Sequence, residues 1–230
     1  MDLRVADIAR SSAFYDTIVG PQVGELLTLR ASERPGPAPT RATGLFHTAF
    51  VYPTRGQLGA ALLRVASERA AFSGASDHLV SEALYLDDPD ALGIELYRDR
   101  PRHTWPAPEP AEKVRMGTLP LDLQALAAEA EGDSSGVRIG HVHLKVADIE
   151  EAVRFWTQAV GLELMARWAG QAAFLAADGY HHHVGVNTWS SRGADPEPPE
   201  GPGLDAVVIG GTGRAEELRT PDGLRIVLEP

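Results

Sequence analysis

The sequence predicts an α+β fold assembled from repeated modules of the βαβββ type. Three observations carry that prediction. First, Leu3-Arg4-Val5-Ala6-Asp7-Ile8 recurs as Leu144-Lys145-Val146-Ala147-Asp148-Ile149, at an offset of 141 residues. The offset persists downstream, where Phe14-Tyr15 matches Phe155-Trp156 and Val19-Gly20 matches Val160-Gly161. An internal repeat of this length outranks local propensity as evidence for fold. Second, each copy reads as a strand followed by an amphipathic helix. Third, turn-forming groups such as Asp88-Pro89-Asp90 and Pro221-Asp222-Gly223 separate short β-prone runs.

In the second copy Asp148 is placed to cap a helix, with Glu151 as its capping-box partner three residues on. Ala152, Phe155, Trp156, Ala159 and Val160 then recur at helical spacing as one apolar stripe, and Gly161 is a natural stop. The aromatic pair reads as core. A second module type starts near residue 44. Leu45 to Tyr52 is strand-like, Pro53-Thr54 turns the chain, and Leu58, Ala61, Leu62 and Val65 mark another helix. Glu82 to Leu86 and Ile94 to Tyr97 follow as strands, with Asp88-Pro89-Asp90 between them as a simple turn and Glu82 as a surface residue. Pro101 to Pro110 is a Pro-rich connection, Asp122 to Glu131 a short helix, and Ser190 to Gly203 a Pro/Gly-rich loop.

Four modules result, beginning near residues 1, 44, 139 and 203. The inner two are complete. The first has room for only one later strand, Glu25 to Ala31, and the fourth has no convincing helix. The expected organisation is a first module pair over 1–110, a linker with a short helix over 111–138, and a second module pair over 139–230.

Bulk composition excludes several functions. With 21 Lys and Arg against 32 Asp and Glu, the net charge is −11. Such a surface repels nucleic-acid phosphates and anionic membranes. There is no cysteine, so any metal must be held by His, Asp or Glu. No leader and no long uncharged apolar run is present, and a soluble cytoplasmic protein is expected.

The strand-helix-three-strand repeat, with its Val-Ala-Asp-Ile…Phe-Trp…Val-Gly pattern, resembles the vicinal oxygen chelate superfamily of glyoxalases, bleomycin-resistance proteins and extradiol dioxygenases. The resemblance covers most of the chain. In that family paired modules cup a metal, with ligands on the first and last strands of each module. Those positions hold His47 and Glu95 in the second module, and His141 and, from the run His181-His182-His183, His183 in the third. The fourth-module positions hold Ala206 and Val227. His78, Leu84-Tyr85, Asp88-Pro89 and Glu95 together follow the extradiol ring-cleavage signature. Ser76 stands where that signature wants a glycine-type residue, and Ala91 where it wants Gly or Pro. Ser76-Asp77-His78 and Gly179-Tyr180-His181-His182-His183 resemble the two-domain catechol 2,3-dioxygenase-like branch.

The resemblance implies His47, Glu95 and His141 as metal ligands, His183 as the acid–base group, and His78 and Tyr85 as supporting partners. Two imidazoles and one carboxylate suit Fe(II), with Mn(II), Zn(II) or Ni(II) as alternatives, and leave positions open for a catecholate and dioxygen. A histidine can accept and return a proton near neutral pH. The implied function is metal-dependent extradiol cleavage of a catechol-like aromatic diol. Two alternatives stand beside it: a glyoxalase-like isomerase or lyase with His183 as fourth ligand, and a protein that binds an aromatic ligand without turnover. Expected partners are a small aromatic substrate and dioxygen, with a homo-oligomer left open.

The residues also have plainer readings. Tyr85 can plug the core, His143 can serve packing, and the triple histidine can be a solvated turn. Strand alternation turns His181 and His183 one way and His182 the other, so at most two serve one site.

Overall fold

The computed structural model describes residues 1–230. The first module comprises β1 (Asp2–Val5), α1 (Ile8–Ile18) and β2 (Thr28–Ala31). The second comprises β3 (Gly44–Val51), α2 (Arg55–Ser67), β4 (Ala71–Asp77), β5 (Ser81–Asp87) and β6 (Gly93–Asp99). After the linker helix α3 (Leu123–Ala128), the third module runs through β7 (Arg138–Lys145), α4 (Ile149–Phe155), β8 (Glu163–Trp168), β9 (Ala172–Ala176) and β10 (Val184–Asn187). The fourth is β11 (Gly203–Ile209), β12 (Glu216–Arg219) and β13 (Arg225–Leu228), with no helix.

Helix starts follow from side-chain caps that satisfy otherwise orphaned N–H groups. Asp7 accepts from Arg10 N–H at 3.0 Å, and Asp148 from Glu151 N–H at 2.9 Å. Only that half of the expected capping box forms at Asp148; the exposed Glu151 carboxylate lies 3.8 Å from Arg154. Thr54 and Gln57 make the complete box at α2. The helix α4 widens into a π turn at Trp156–Val160 and stops at Gly161, whose φ of 95° is left-handed. Trp156 is buried in the core, as its helical spacing predicts.

Two sheets result, and they do not follow the chain halves 1–110 and 139–230. Modules two and three build one eight-stranded sheet, ordered β4-β5-β6-β3-β7-β10-β9-β8. Modules one and four, from opposite ends of the chain, build a five-stranded sheet ordered β12-β13-β11-β1-β2. Both use the same plan. First strands meet antiparallel (β3 with β7, β1 with β11), and each is flanked in parallel by the last strand of its own module. Pairing β1 with β11 covers edges that the abbreviated modules would otherwise expose. The main apolar core, including Leu3, Phe50, Leu84, Trp156, Leu175 and Ile226, draws on all four modules.

Two expectations about β5 and its turn need correction. Glu82 is buried and meets three guanidinium groups: Arg55 at 2.9 Å, Arg98 at 2.7 Å and Arg100 at 3.1 Å. A buried carboxylate is tolerable only with such partners. Asp88-Pro89-Asp90 is more than a turn. Asp88 Oδ1 accepts the Asp90 and Leu92 N–H groups, each at 2.8 Å, and Tyr15 Oη donates to Oδ2 at 3.2 Å. Asp90 accepts Ala6 N–H at 2.8 Å and pairs with Arg10. The turn therefore ties the first module to the second. Ala91, which ends it, sits at a left-handed φ of 61°. That conformation gives the preference for Gly at this position its physical reason.

Candidate metal centre

The site is built on the central strands of the eight-stranded sheet, where register brings distant residues into one row. Ala49 on β3 is the partner of Glu95 on β6 and of His141 on β7. Side chains opposite one another share a sheet face, so the three point the same way. Ala49 is fully buried and small, which leaves space for Glu95 and His141 to reach across it. Their contact, Oε2 to Nε2, is 3.2 Å. One pleat along, His47 pairs with His143, and His47 Nε2 comes within 2.9 Å of the same Glu95 oxygen.

That second approach is close but not aligned as a hydrogen bond, and His47 Nε2 is a buried nitrogen with no partner. The donor atoms of His47, Glu95 and His141 all lie within 4.8 Å of one another. An orphaned imidazole nitrogen beside a buried carboxylate costs free energy unless something satisfies both. A divalent cation does so, and two imidazoles with one carboxylate fit a metal of borderline hardness. Protonation favours the same state. Burial pushes the Glu95 carboxyl up, but the attraction of His141 and His47 outweighs it and holds the group well below the usual carboxylate range. Burial draws His141 down to about 4, against the pull of Glu95. At neutral pH both are in their ligand forms.

The arrangement has a fourth slot, and it is empty of donors. The first-strand pair β3 and β7 relates module two to module three, and the partner of Ala49 on β6 is Glu95. On the other side, the partner of His143 on β10 is Gly185. A Cβ at Gly185 would lie 2.9 Å from the His143 ring, so that ring fills the space a fourth ligand would need.

A cavity of about 290 Å³ opens above this centre. His47 and Glu95 stand at its floor, and His78, Tyr85, His143 and His182 line its walls. His78 Nδ1 lies 2.6 Å from the Gly117 carbonyl and its Nε2 lies 2.6 Å from Tyr85 Oη. A carbonyl only accepts, so His78 donates from Nδ1, and with the ring neutral Tyr85 donates to its Nε2. The Tyr85 oxygen keeps its lone pairs for another donor. Burial and the negative charge of Glu95 push its phenol well up.

Of the three consecutive histidines, His182 lines the cavity and His183 does not. Regular β10 begins only at Val184, after a turn in which Asp178 and Gly179 take φ values of 54° and 65°. The histidines precede β10; the backbone ladder already holds at His183, whose N–H donates to the Leu175 carbonyl at 2.8 Å and whose carbonyl accepts from Val142 N–H at 3.1 Å, but its ring stands outside the cavity. His183 is exposed, its Nδ1 accepts Ala177 N–H at 3.2 Å, and it lines a separate depression with Arg102 and Arg138. The solvated-turn reading describes His183 alone. His181 is fully buried, with Nδ1 2.8 Å from His182 Nδ1 and Nε2 2.8 Å from Asp99 Oδ1. Tyr180 Oη also donates to Asp99 at 3.0 Å. On β6, Asp99 follows Glu95 and Tyr97 on the same face, so period-two spacing could have flagged it.

His182, Asp99 and the aromatic residues around the cavity (Phe46, Trp168, Phe174 and Trp189) were not assigned roles from sequence, and His143, read there as packing or as support for the site, lines the cavity. His143 alternates onto the His141 face, and its buried Nε2 has no partner. Burial, then the nearby His47 and His141, lower its pKa well below the usual histidine value.

Comparisons with known proteins agree with this architecture. The family model described as the Glyoxalase/Bleomycin resistance protein/Dioxygenase superfamily matches residues 138–209. Catechol-2,3-dioxygenase of Bacillus subtilis (strain 168) is 40% identical, over 90% of this chain and 80% of its own length. Glyoxalase I from Zea mays superposes with a TM-score of 0.55 at 14% identity, covering 99% of this chain and 89% of that one. A candidate dioxygenase from Bacillus subtilis superposes with a TM-score of 0.61 at 12% identity, covering 100% and 84%. At such identities the two structures speak to fold alone. The chain belongs to the glyoxalase/bleomycin resistance protein/dioxygenase superfamily, the vicinal oxygen chelate fold. Within it, the chain stands in the catechol-2,3-dioxygenase-like branch.

Proposed function

We propose that this protein is an extradiol dioxygenase that cleaves a catechol-like aromatic diol, using a divalent metal, Fe(II) first among candidates, held by His47, Glu95 and His141. The observation that carries this reading is the three-donor centre with Gly185 in the fourth slot. A two-histidine, one-carboxylate face leaves room for two reactants side by side, whereas a four-ligand isomerase or lyase would need a donor at Gly185 or an inward His183. Mn(II) uses the same donors, and an elemental analysis of the freshly purified protein distinguishes the two.

When bound, the metal would neutralise the ionised diol and bring it together with dioxygen. The protein supplies the rest. His182 takes the acid–base role expected of His183. Burial, then the neighbouring His141 and His181, lower its pKa well below the usual histidine value, so it rests neutral and can accept a diol proton. Tyr85 Oη, its own proton committed to His78, accepts a hydrogen bond from the second diol oxygen. The buried rings of His143 and His182 help to exclude water from the reacting atoms. Atoms balance: both oxygen atoms of O2 enter the product, one ring C–C bond beside the diol breaks, and the proton held by His182 returns to the product.

The test is oxygen uptake after anaerobic reconstitution with Fe(II) and addition of catechol. Stoichiometric uptake with a ring-opened hydroxy-semialdehyde is expected. Tight catechol binding with no oxygen consumption would instead favour ligand sequestration.

A further inference from the structure

A second cavity, of about 360 Å³, lies between the two sheets. Lys145 on β7 lines it from the eight-stranded sheet, and Arg4 on β1, Asp205 on β11 and Arg219 on β12 from the five-stranded one. Glu197 and Asp222 complete its charged lining, from the segments that precede β11 and β13. It shares no lining residue with the cavity above the metal centre. Along β7, Lys145 is four residues from His141, roughly 13 Å at the rise of a strand.

Most of these charges are satisfied within the chain or by water. Arg4 pairs with both Asp205 and Glu197, the latter at 3.4 Å. Glu197 also accepts Leu204 N–H at 2.7 Å, and Asp222 accepts Ala147 N–H at 3.2 Å. Arg219 is exposed and donates to the Gly223 carbonyl at 3.1 Å. Lys145 is the exception. Only 7% exposed, it donates to the Pro39 carbonyl at 2.7 Å and pairs with no carboxylate. An ammonium has three N–H donors, so two are left without an acceptor from the chain. Burial draws its pKa down, and Glu197, beyond ion-pair distance, pulls the other way. A buried cation in this condition is costly, and an anion beside it offsets the cost.

We propose that this cavity is a second binding site, for a small organic monocarboxylate whose charged end pairs with Lys145. Arg219, at the exposed edge, adds attraction to the same charge. Pro196, Pro199 and Leu224 offer apolar surface to the rest of the molecule. The three cations of the lining are matched by three carboxylates, so the cavity as a whole carries no net charge. It therefore has one unpaired cation to offer and repels a second negative charge, which selects a monoanion over a dianion such as phosphate. The occupant would bridge the two sheets at a distance from the reacting atoms.

The test is isothermal titration of the purified protein with butanoate, with its uncharged counterpart butanamide, and with inorganic phosphate. Butanoate should saturate one site per chain. Butanamide, which cannot pair with an ammonium, should bind on the order of 10–10²-fold more weakly, and phosphate more weakly than butanoate. Lys145→Met should lose butanoate affinity by the same factor. Arg219→Gln, at an exposed position, should lose about threefold and serves if Lys145→Met folds poorly. Ring cleavage need not occur for this binding to be seen. Absence of saturable butanoate binding overturns the proposal, as does equal binding of butanamide or tighter binding of phosphate. Unchanged affinity in both variants would place the carboxylate elsewhere, the metal centre included, and would also overturn it.

Discussion

The Nδ1 atoms of His181 and His182 lie 2.8 Å apart, so one ring must donate and the other accept. Asp99 decides which. Its carboxylate only accepts, so the proton between it and His181 sits on His181 Nε2. A neutral His181 then has a bare Nδ1, which accepts from His182 Nδ1–H. His182 is left with a bare Nε2, the tautomer an acceptor of substrate protons requires. Asp99 is in this sense a positioning residue, acting through His181. Asp99→Ala should lower kcat about tenfold or more with KM little changed. Nitrogen chemical shifts of the histidines should show mixed tautomers for His182 in the metal-free protein. An unchanged His182 tautomer would remove Asp99 from the mechanism.

His182 and His183 should separate cleanly on substitution. His182→Ala should keep its metal and lose about 10²–10⁴ in rate, the usual worth of a positioned proton-transfer group. His183→Ala, at an exposed ring outside the cavity, should stay near the parent rate. Metal content and oxygen uptake on the same preparations check both. The opposite ranking would return the role to His183.

Glu95→Ala should abolish tight metal binding, because it removes the only carboxylate of the three donors and leaves His47 and His141 without their shared partner. Elemental analysis of the variant is the measurement, and full occupancy would mean that the wrong carboxylate has been chosen.

Stability should carry a signature of Asp88. Burial raises its pKa from 3.8 to about 6, against the hydrogen bonds from Leu92, Asp90 and Tyr15. A carboxyl with a raised folded-state value binds more protons folded than unfolded between those two limits, so its contribution falls as pH rises through that window and is constant above it. The loss amounts to roughly 3 kcal/mol. Asp88→Asn keeps an acceptor and cannot ionise. Denaturant midpoints at pH 4 and pH 7 should therefore show a larger decline, or a smaller gain, for the parent than for the variant. Parallel changes in both proteins would show that Asp88 is ionised at no cost.

Ala91 offers a test of local strain. Its left-handed φ of 61° costs a residue with a Cβ about 1 kcal/mol. Ala91→Gly should recover part of this as a raised unfolding midpoint, despite the greater freedom of Gly in the unfolded chain. A lowered midpoint would mean that the backbone there is unstrained.

Much of this was legible in the residues because it is periodic. The repeat placed β1, α1, β7 and α4, and the family resemblance, not periodicity alone, singled out His47, Glu95 and His141 on the strands β3, β6 and β7. What escaped depends on contacts that no local pattern encodes. The pairing of β1 with β11, which joins residues about two hundred apart, escaped, whereas the facing of modules two and three follows from the ligand positions that only those two retain. His182, and not His183, lines the cavity, because the three histidines follow a turn at Asp178-Gly179 ahead of the strand that begins at Val184. Glu82 looked like a surface residue because its three arginine partners come from α2, β6 and the segment that follows it. The aromatic residues around the cavity escaped because Phe46, Trp168, Phe174 and Trp189 lie on separate strands and loops.

The most direct measurement is the fate of isotopic oxygen. The Fe(II)-loaded protein is given catechol under 18O2, and the product is analysed by mass spectrometry. Extradiol cleavage at the His47–Glu95–His141 centre requires both labelled atoms in a single ring-opened product. Catechol recovered unlabelled and intact, with the metal still bound, would contradict it.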